Sequence, residues 1–456
     1  MKVIILNGSP KVEKSITMQY VYYLMNKFRH LDYEIFNITK EIDKIQKDKN
    51  FFNSMVNSIQ SSDLVIWAFP VFGLLVPADY KKFIEIIFHS NRKEFFFNKY
   101  TIALTTSIHF LDNYARYYIN GICDDLNMKY LGDFFAHSKT LLNKKDRKSF
   151  EIFFQDTINQ INNKVQVYKT YPPIKYKEYN LQFEAEKFEI IETRRKIVVI
   201  SNTSSSNDNL DKMVCQFKGY FKNEVQFINL KGLIKKGCLE CYRCSDNNKC
   251  VFDKIDGFSD AYFNIIREAD IVVFADYVKD RYLSSEYKLF LDRCFVVNHQ
   301  PRLPGKQVGY IVSGPINQIL SLRHSLEAWC EVNGANFVGI VSDDSQNNIE
   351  IKSHLYNLAK RLVELSEKEY FKPISFEGLA SKKIYRDEMC GELQQIFLSD
   401  HRYFKKNGYY DFPNNNLKLK LINYMIGILN KIPIFRKWLI HNVHSIKIAD
   451  FIKITK

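Results

Sequence analysis

Short apolar runs alternate along the chain with longer stretches whose apolar residues recur in three- and four-residue steps. The runs KVIIL from Lys2, YEIFNI from Tyr33, DLVIWAF from Asp63, TIALTTS from Thr101 and YLGDFFA from Tyr130 predict five strands. The stretches between them predict helices after Ser15, up to Ser61, from Pro77, and over Arg147 to Asn163. Strands separated by helices of this length form a parallel sheet covered on both faces.

The same order recurs downstream as KIVVIS, EVQFINL, DIVVFAD, QVGYIVSG and NFVGIVS. The opening KVIILNGSPKVEKSIT (Lys2 to Thr17) returns as KIVVISNTSSSNDNLD (Lys196 to Asp211), so the chain is an internal duplication. Lys2 and Lys196 lie 194 positions apart, whereas Asp63 and Asp270 lie 207 apart, so the second copy has gained thirteen residues between those points. That gain carries Cys238, Cys241, Cys244 and Cys250 and reads as an insertion after the second strand. The fold class expected is α/β: two tandem flavodoxin-like, doubly wound, five-stranded parallel sheets with a helical C-terminal tail. The expected boundaries are a first domain over 1–165, a linker over 166–194, a second domain over 195–368 and the tail over 369–456.

Of the net charge of +14, half comes from Asn414 to Lys456, where eight Lys or Arg face one acid, Asp450. The excess is therefore a property of the tail, and its spread, without a repeated aromatic and basic groove pattern, argues against a nucleic-acid site. The tail steps Leu417, Leu421, Tyr424 and Ile428 between lysines, then continues past Pro433 through Trp438. It reads either as a helix covering an exposed core face or as a basic amphipathic element making peripheral membrane contact. The chain opens directly on a strand pattern and holds its cysteines unevenly, which fits a cytoplasmic, reducing setting. No apolar run reaches the roughly eighteen residues of a membrane span.

NGSPKVEKSIT follows a strand and precedes a helix, where free amides and the positive end of a helix dipole favour an anion. Gly8 lets the backbone turn, Ser9, Ser15 and Thr17 offer hydroxyls to a terminal phosphate, and Pro10 and Lys11 stiffen and charge the rim. On these residues alone a capped helix start is an equal reading. The loop resembles the first loop of the NADPH-dependent FMN reductase family, which reads G-S-x-R/K with Ser and Thr beyond. FPVFGLLVPADYKKFIE (Phe69 to Glu85) resembles that family's second flavin loop. The resemblance implies that Pro70, Val71, Phe72 and Gly73 wall the isoalloxazine, with Phe72 where many relatives have Tyr. It also implies that the third loop, TTSIHF, brings Thr106 and Ser107 to the pyrimidine edge. His109 is then a candidate catalytic donor to the N1 or O2 side of reduced flavin, against its reading as a solvated loop histidine.

The second copy departs at these loops. Thr203 and Ser204 align with Ser9 and Pro10, Asn202 replaces the turn glycine, Asp211 replaces Thr17, Tyr277 replaces Pro70, and Lys279 replaces Phe72. An acid at 211 repels a phosphate dianion, so this copy is expected not to bind FMN. Its GCLECYRCSDNNKC has the spacing C-x2-C-x2-C-x5-C, which lets thiolates from one loop meet at one centre. It resembles the iron-sulfur flavoproteins, implying that Cys238, Cys241, Cys244 and Cys250 ligate a 4Fe-4S cluster; structural zinc or no metal are the alternatives. Cys123, Cys215, Cys294, Cys330 and Cys390 read as small buried hydrophobes.

The resemblances together imply an FMN-dependent NAD(P)H oxidoreductase or electron-transfer flavoprotein serving an unknown electron acceptor. The two copies would pair as an intrachain pseudo-dimer, bringing the FMN of one to the cluster of the other, with homo-oligomers as a further arrangement. The rival readings are a simple NAD(P)H-dependent quinone or FMN reductase with structural cysteines, and a non-catalytic redox-responsive interaction protein.

Overall fold

β1 (Lys2–Asn7) is buried from Val3 onward because it lies between two neighbours in a sheet covered on both faces. A computed structural model describes residues 1–177, 179–184, 188–203, 208–410 and 417–455 of the chain. The described residues divide into two units. One comprises Met1–Pro173, Leu239–Cys241 and the chain from Ile428 onward; the other comprises Ile174–Cys238 and Tyr242–Gly427.

In the first unit β1 pairs in parallel with β2 (Asp32–Asn37) and β3 (Leu64–Pro70), followed by β4 (Tyr100–Ser107) and β5 (Lys129–His137), in the order β2-β1-β3-β4-β5. The crossovers are α1 (Ile16–Lys27), α2 (Ile38–Lys47) with α3 (Lys49–Gln60), α4 (Ala78–His89) and α5 (Asn113–Asp125), and α6 (Lys144–Asn162) follows β5. The Asp48 carboxylate caps α3 by accepting from the amides of Asn50 and Phe51, and Asn143 caps α6 in the same way. The core packs Val3, Ile5, Leu64 and Ile66 against Met18, Tyr20 and Leu24 of α1 and Phe150 and Phe154 of α6. Each such side chain contributes about 1.5–3 kcal/mol on burial.

The second unit repeats this topology: read from its other edge, its parallel sheet runs β7-β6-β8-β9-β10. Its strands are β6 (Ile197–Ser201), β7 (Gln226–Asn229), β8 (Ile271–Tyr277), β9 (Gln307–Ser313) and β10 (Asn336–Ser342). They are joined by α7 (Asn209–Lys218), α8 (Phe258–Asp260) running into a π-helical turn over Ala261–Ile266, α9 (Ser285–Arg293) and α10 (Leu320–Val332), with α11 (Asn348–Glu367) after β10. Two tandem doubly wound sheets of flavodoxin-like order are thus present, with a helical tail.

The tail is divided where the sequence suggested one separate region. α12 (Phe376–Cys390) and α13 (Leu398–Lys406) belong to the second unit, and α12 packs on α10. α14 (Leu417–Leu429) follows, and α15 (Pro433–Thr455) lies along α1. There the Asn26 side-chain amide donates to the Thr455 carbonyl at 2.7 Å, and Phe451 is buried beside Tyr20. The scattered cysteines also separate. Cys123, Cys294 and Cys330 are buried as expected, but Cys215 is exposed and Cys390 only half-buried. α7 buries Leu210, Met213, Val214 and Phe217, a spacing that turns Cys215 outward.

Gly8 owes its identity to close approach. A Cβ there would lie 2.8 Å from Tyr80 Cδ2 and 2.9 Å from Phe69 Cβ, both buried and tightly packed. Gly8→Ala is expected to cost about 1–3 kcal/mol by overpacking. The check is a denaturant titration, in which an unchanged midpoint would refute the constraint.

Candidate functional site

The loops after β1, β3 and β4 leave the carboxyl ends of neighbouring strands, beside the point where strand order reverses between β1 and β3. The first is held by its own polar groups. The Ser9 amide donates to Asn7 Oδ1 at 2.9 Å, the Asn7 amide side chain donates to Asn37 Oδ1 at 2.9 Å, and Thr39 Oγ1 donates to the Gly8 carbonyl at 2.7 Å. A 3-10 turn over Val12–Lys14 then delivers Ser15 as the N-cap of α1, with its hydroxyl making no capping bond. Ser9, Ser15 and Thr17 are all at most 1% exposed. Thr17 Oγ1 lies 2.6 Å from Thr106 Oγ1, tying the first loop to the third.

This donor set fits a phosphate. The opening amides of α1 have no intrahelical acceptor, the dipole is positive there, and the Ser15 hydroxyl is not spent on capping. Thr17 is the exception to the sequence reading, since its hydroxyl binds Thr106 instead of standing open.

Lys11 differs more strongly from expectation. Instead of simply charging the rim, its ammonium forms an ion pair with Glu240, which is 8% exposed. Burial raises the Glu240 pKa, but Lys11 outweighs it and the net shift is downward. His444 of α15 hydrogen-bonds the Glu240 backbone, and burial with the nearby Lys11 charge depresses its pKa to about 4. Lys447 also faces this carboxylate. Glu240, His444 and Lys447 escaped the sequence reading. Glu240 stands between two conspicuous cysteines, and the other two lie more than 400 positions from the loop they border.

In the second loop Pro70 pairs with Thr106, and the Val71 amide donates to the Thr106 carbonyl at 3.1 Å. Phe72 and Leu75 exchange backbone bonds of 2.8 and 3.2 Å around Gly73 (φ 50°) and Leu74 (φ 71°), a turn with both central residues left-handed. Phe72 is half-buried and Gly73 exposed, leaving a ring and a bare backbone at the rim. In the third loop Ser107 Oγ donates to Asp112 Oδ2 at 2.8 Å and accepts from the His109 amide at 2.9 Å. His109 Nδ1 lies 2.8 Å from the same carboxylate oxygen, and that bond raises the His109 pKa against the opposing effect of burial. His109 is therefore oriented by Asp112 rather than merely solvated; the S-x-H-x-x-D spacing held that signal.

The NADPH-dependent FMN reductase model matches residues 1–139 and 195–345, together more than half of the chain. The chain belongs to the NADPH-dependent FMN reductase family. It is an FMN-dependent NAD(P)H flavin oxidoreductase in class. No curated protein matches it. Among solved structures it is similar to an NADPH-quinone reductase from P. pentosaceus, at 11% identity over 34% of this chain and 97% of that one, with a TM-score of 0.28. It is also similar to an FMN-dependent NADH-azoreductase from Bacillus anthracis in complex with FMN (11% identity, 36% and 100% covered, TM-score 0.27). A third is the NAD(P)H:(acceptor) oxidoreductase FerB from Paracoccus denitrificans (14% identity, 36% and 97% covered, TM-score 0.30).

Both copies are family members, but the second has filled the corresponding strand ends with its own side chains. The Ser284 amide and hydroxyl donate to Asp276 Oδ2 at 2.9 and 2.6 Å, and burial pushes the Asp276 pKa up to about 7. The Asn202 side chain donates to Ser284 Oγ at 3.1 Å, and the Tyr277 hydroxyl donates to Asp208 Oδ2 at 2.5 Å. Lys279 lies over the Tyr277 ring at 4.6 Å. Asp343 takes Ser313 Oγ at 2.8 Å, the Gly314 amide at 2.8 Å and the Asn209 amide side chain at 2.9 Å. Ser204 lies outside the described residues.

The four-cysteine run does not form a metal cage as it stands. All nine cysteines are thiols, and among the described residues no group of three or more His, Cys, Asp or Glu side chains converges to hold a metal. Cys244 is buried with Sγ 3.4 Å from Asn298 Oδ1. Asn298, at φ 52°, also donates its side-chain amide to the Cys244 carbonyl and to Ser399 of α13, at 3.2 and 3.3 Å. Tyr242 meets Phe397 edge-on at 5.2 Å, and Arg402 pairs with Asp246. This part of the run is built into the second unit by hydrogen bonding and packing, which positions backbone and rings rather than four sulfurs.

Proposed function

We propose that the first copy alone holds FMN, across its three loops, and that the enzyme passes reducing equivalents from NAD(P)H to a small-molecule or protein acceptor. The observation that carries this is the convergence of the three loops at the strand-order reversal, closed by the Thr17 to Thr106 bond. Gly8, Ser9, Pro10, Lys11 and Ser15 frame the phosphate, with Thr17 bracing them. Pro70, Val71, Phe72 and Gly73 wall the ring, and Thr106 and Ser107 border its pyrimidine edge. His109, held through Nδ1 by Asp112, keeps Nε2 for a proton at that edge. FMN, when bound, supplies the conversion between two-electron and one-electron transfer.

A second reading rests on the cysteine spacing alone and adds a 4Fe-4S cluster on Cys238, Cys241, Cys244 and Cys250. One experiment tests both: anaerobic purification, a visible spectrum, quantified flavin and iron, and NADH or NADPH oxidation with quinone and dye acceptors. About one FMN per chain with turnover supports the main reading, and absence of flavin overturns it. About four irons per chain supports the cluster; iron-free flavoenzyme removes it.

A further inference from the structure

The segment Leu417 to Trp438 leaves its large apolar residues outside any core. Along α14 only Asn423 is buried, its side-chain amide donating to the Gly391 carbonyl at 3.0 Å. Around it Leu421 is 61% exposed, Tyr424 69%, Met425 57% and Ile428 51%; past the turn, Ile434 is 82% and Trp438 51% exposed. Single exposed apolar residues are ordinary, but so many in succession along one stretch of chain mark a segment made to be covered. The inner face of α15, by contrast, buries Leu439, Val443, Ile448 and Phe451. The fold therefore uses the later part of α15 and leaves the earlier segment unused.

Charge decides what covers it. From Leu417 to Leu439 the chain carries Lys418, Lys420, Lys431, Arg436 and Lys437 and no acid. A second copy seated on this segment would bring five more cations to it, without a carboxylate in the segment to offset them. A bilayer rich in anionic phospholipid accepts both features: acyl chains take the aliphatic residues, headgroup phosphates take the lysines, and Trp438 and Tyr424 suit the interface between. No helix among the described residues is long and apolar enough to cross a membrane, and basic amphipathic segments that bind bilayers do so in the surface plane. We propose that Leu417 to Trp438 docks this protein on anionic lipid bilayers. The proposal stands apart from the flavin reading.

The test uses the full chain with vesicles of phosphatidylcholine containing about 30 mol % phosphatidylglycerol, against phosphatidylcholine alone, read by co-sedimentation and tryptophan emission. Trp67 and Trp329 are buried and Trp438 is exposed, so a blue shift on adding vesicles reports this segment. Binding to the anionic vesicles, with release at about 0.5 M salt, supports the proposal. The pair Lys418→Glu with Lys420→Glu is expected to weaken binding at least about tenfold, and Ile434→Asp, at a solvent-facing site, to abolish the blue shift; circular dichroism and flavin content should not change. A protein that stays in the supernatant with anionic vesicles overturns the proposal, as does equal binding to pure phosphatidylcholine. A lipid-free dimer that already shields Trp438 would assign the surface to self-association and also overturn it.

Discussion

Thr17→Asp should lower FMN affinity by about three orders of magnitude while leaving the fold in place. Although the Thr17 hydroxyl itself is turned to Thr106, a carboxylate in the first turn of α1 would bring a negative charge to the helix start proposed for the phosphate. One unit-charge repulsion at about 4 Å and an effective dielectric near 20 is worth about 4 kcal/mol. The second copy has already made the equivalent change: Asp211 stands in the first turn of α7, where its amide donates to the Asp208 carboxylate and the helix forms normally. The bond to Thr106 is lost as well, loosening the tie between two loops. Equilibrium titration of FMN and of riboflavin separates the causes. Charge repulsion penalises FMN and spares riboflavin, whereas a damaged site loses both; FMN affinity within tenfold of the parent would remove Thr17 from the phosphate site.

The Lys11 and Glu240 pair should make the same region sensitive to acid. Removing one partner of a buried ion pair leaves the other uncompensated, at a cost of about 3–5 kcal/mol. Lys11→Met should therefore destabilise strongly, and adding Glu240→Gln should recover much of the loss. His444 adds a pH dependence of definite sign. Its folded pKa, about 4, lies below its ordinary 6.5, so its contribution is present above pH 6.5 and is lost as pH falls towards 4. Allowing for partial exposure, the loss is roughly 2–3 kcal/mol. Glu240, also depressed, acts in the same direction at still lower pH. Thermal melts from pH 7.5 to 4 should fall most steeply below pH 6.5, and His444→Gln should flatten that limb; an unchanged profile in the variant would show that the histidine is not the titrating group.

The two sheets were legible because buried parallel strands are apolar on both faces and sit at recurring intervals. The third-strand runs DLVIWAF and DIVVFAD fall on β3 and β8 almost residue for residue. The three loops were legible for a related reason: topology places them, and Gly8, Pro70 and Ser107 mark their starts. What connects distant segments was hidden. Nothing near Lys11 announces Glu240, because an ion pair needs only two charges and carries no periodicity. The tail showed its charge and apolar steps but not its division, since burial on α1 and exposure to solvent can follow from similar local patterns. The cysteine spacing conveyed proximity in sequence, whereas the direction of each sulfur depends on partners such as Asn298 and Ser399 that lie far along the chain.

The docking of α15 on α1 sets an order of events during synthesis. The first sheet can form as soon as its five strands leave the ribosome, but Tyr20, Gln19 and Asn26 must wait for Phe451 and Thr455, more than 400 residues later. Until then the nascent chain carries an unsealed apolar seam while the entire second sheet is made and folded. Expressing residues 1–173 as an isolated half would reproduce that waiting state permanently, so the natural unit for dissection is the N-terminal domain supplied with its final helix.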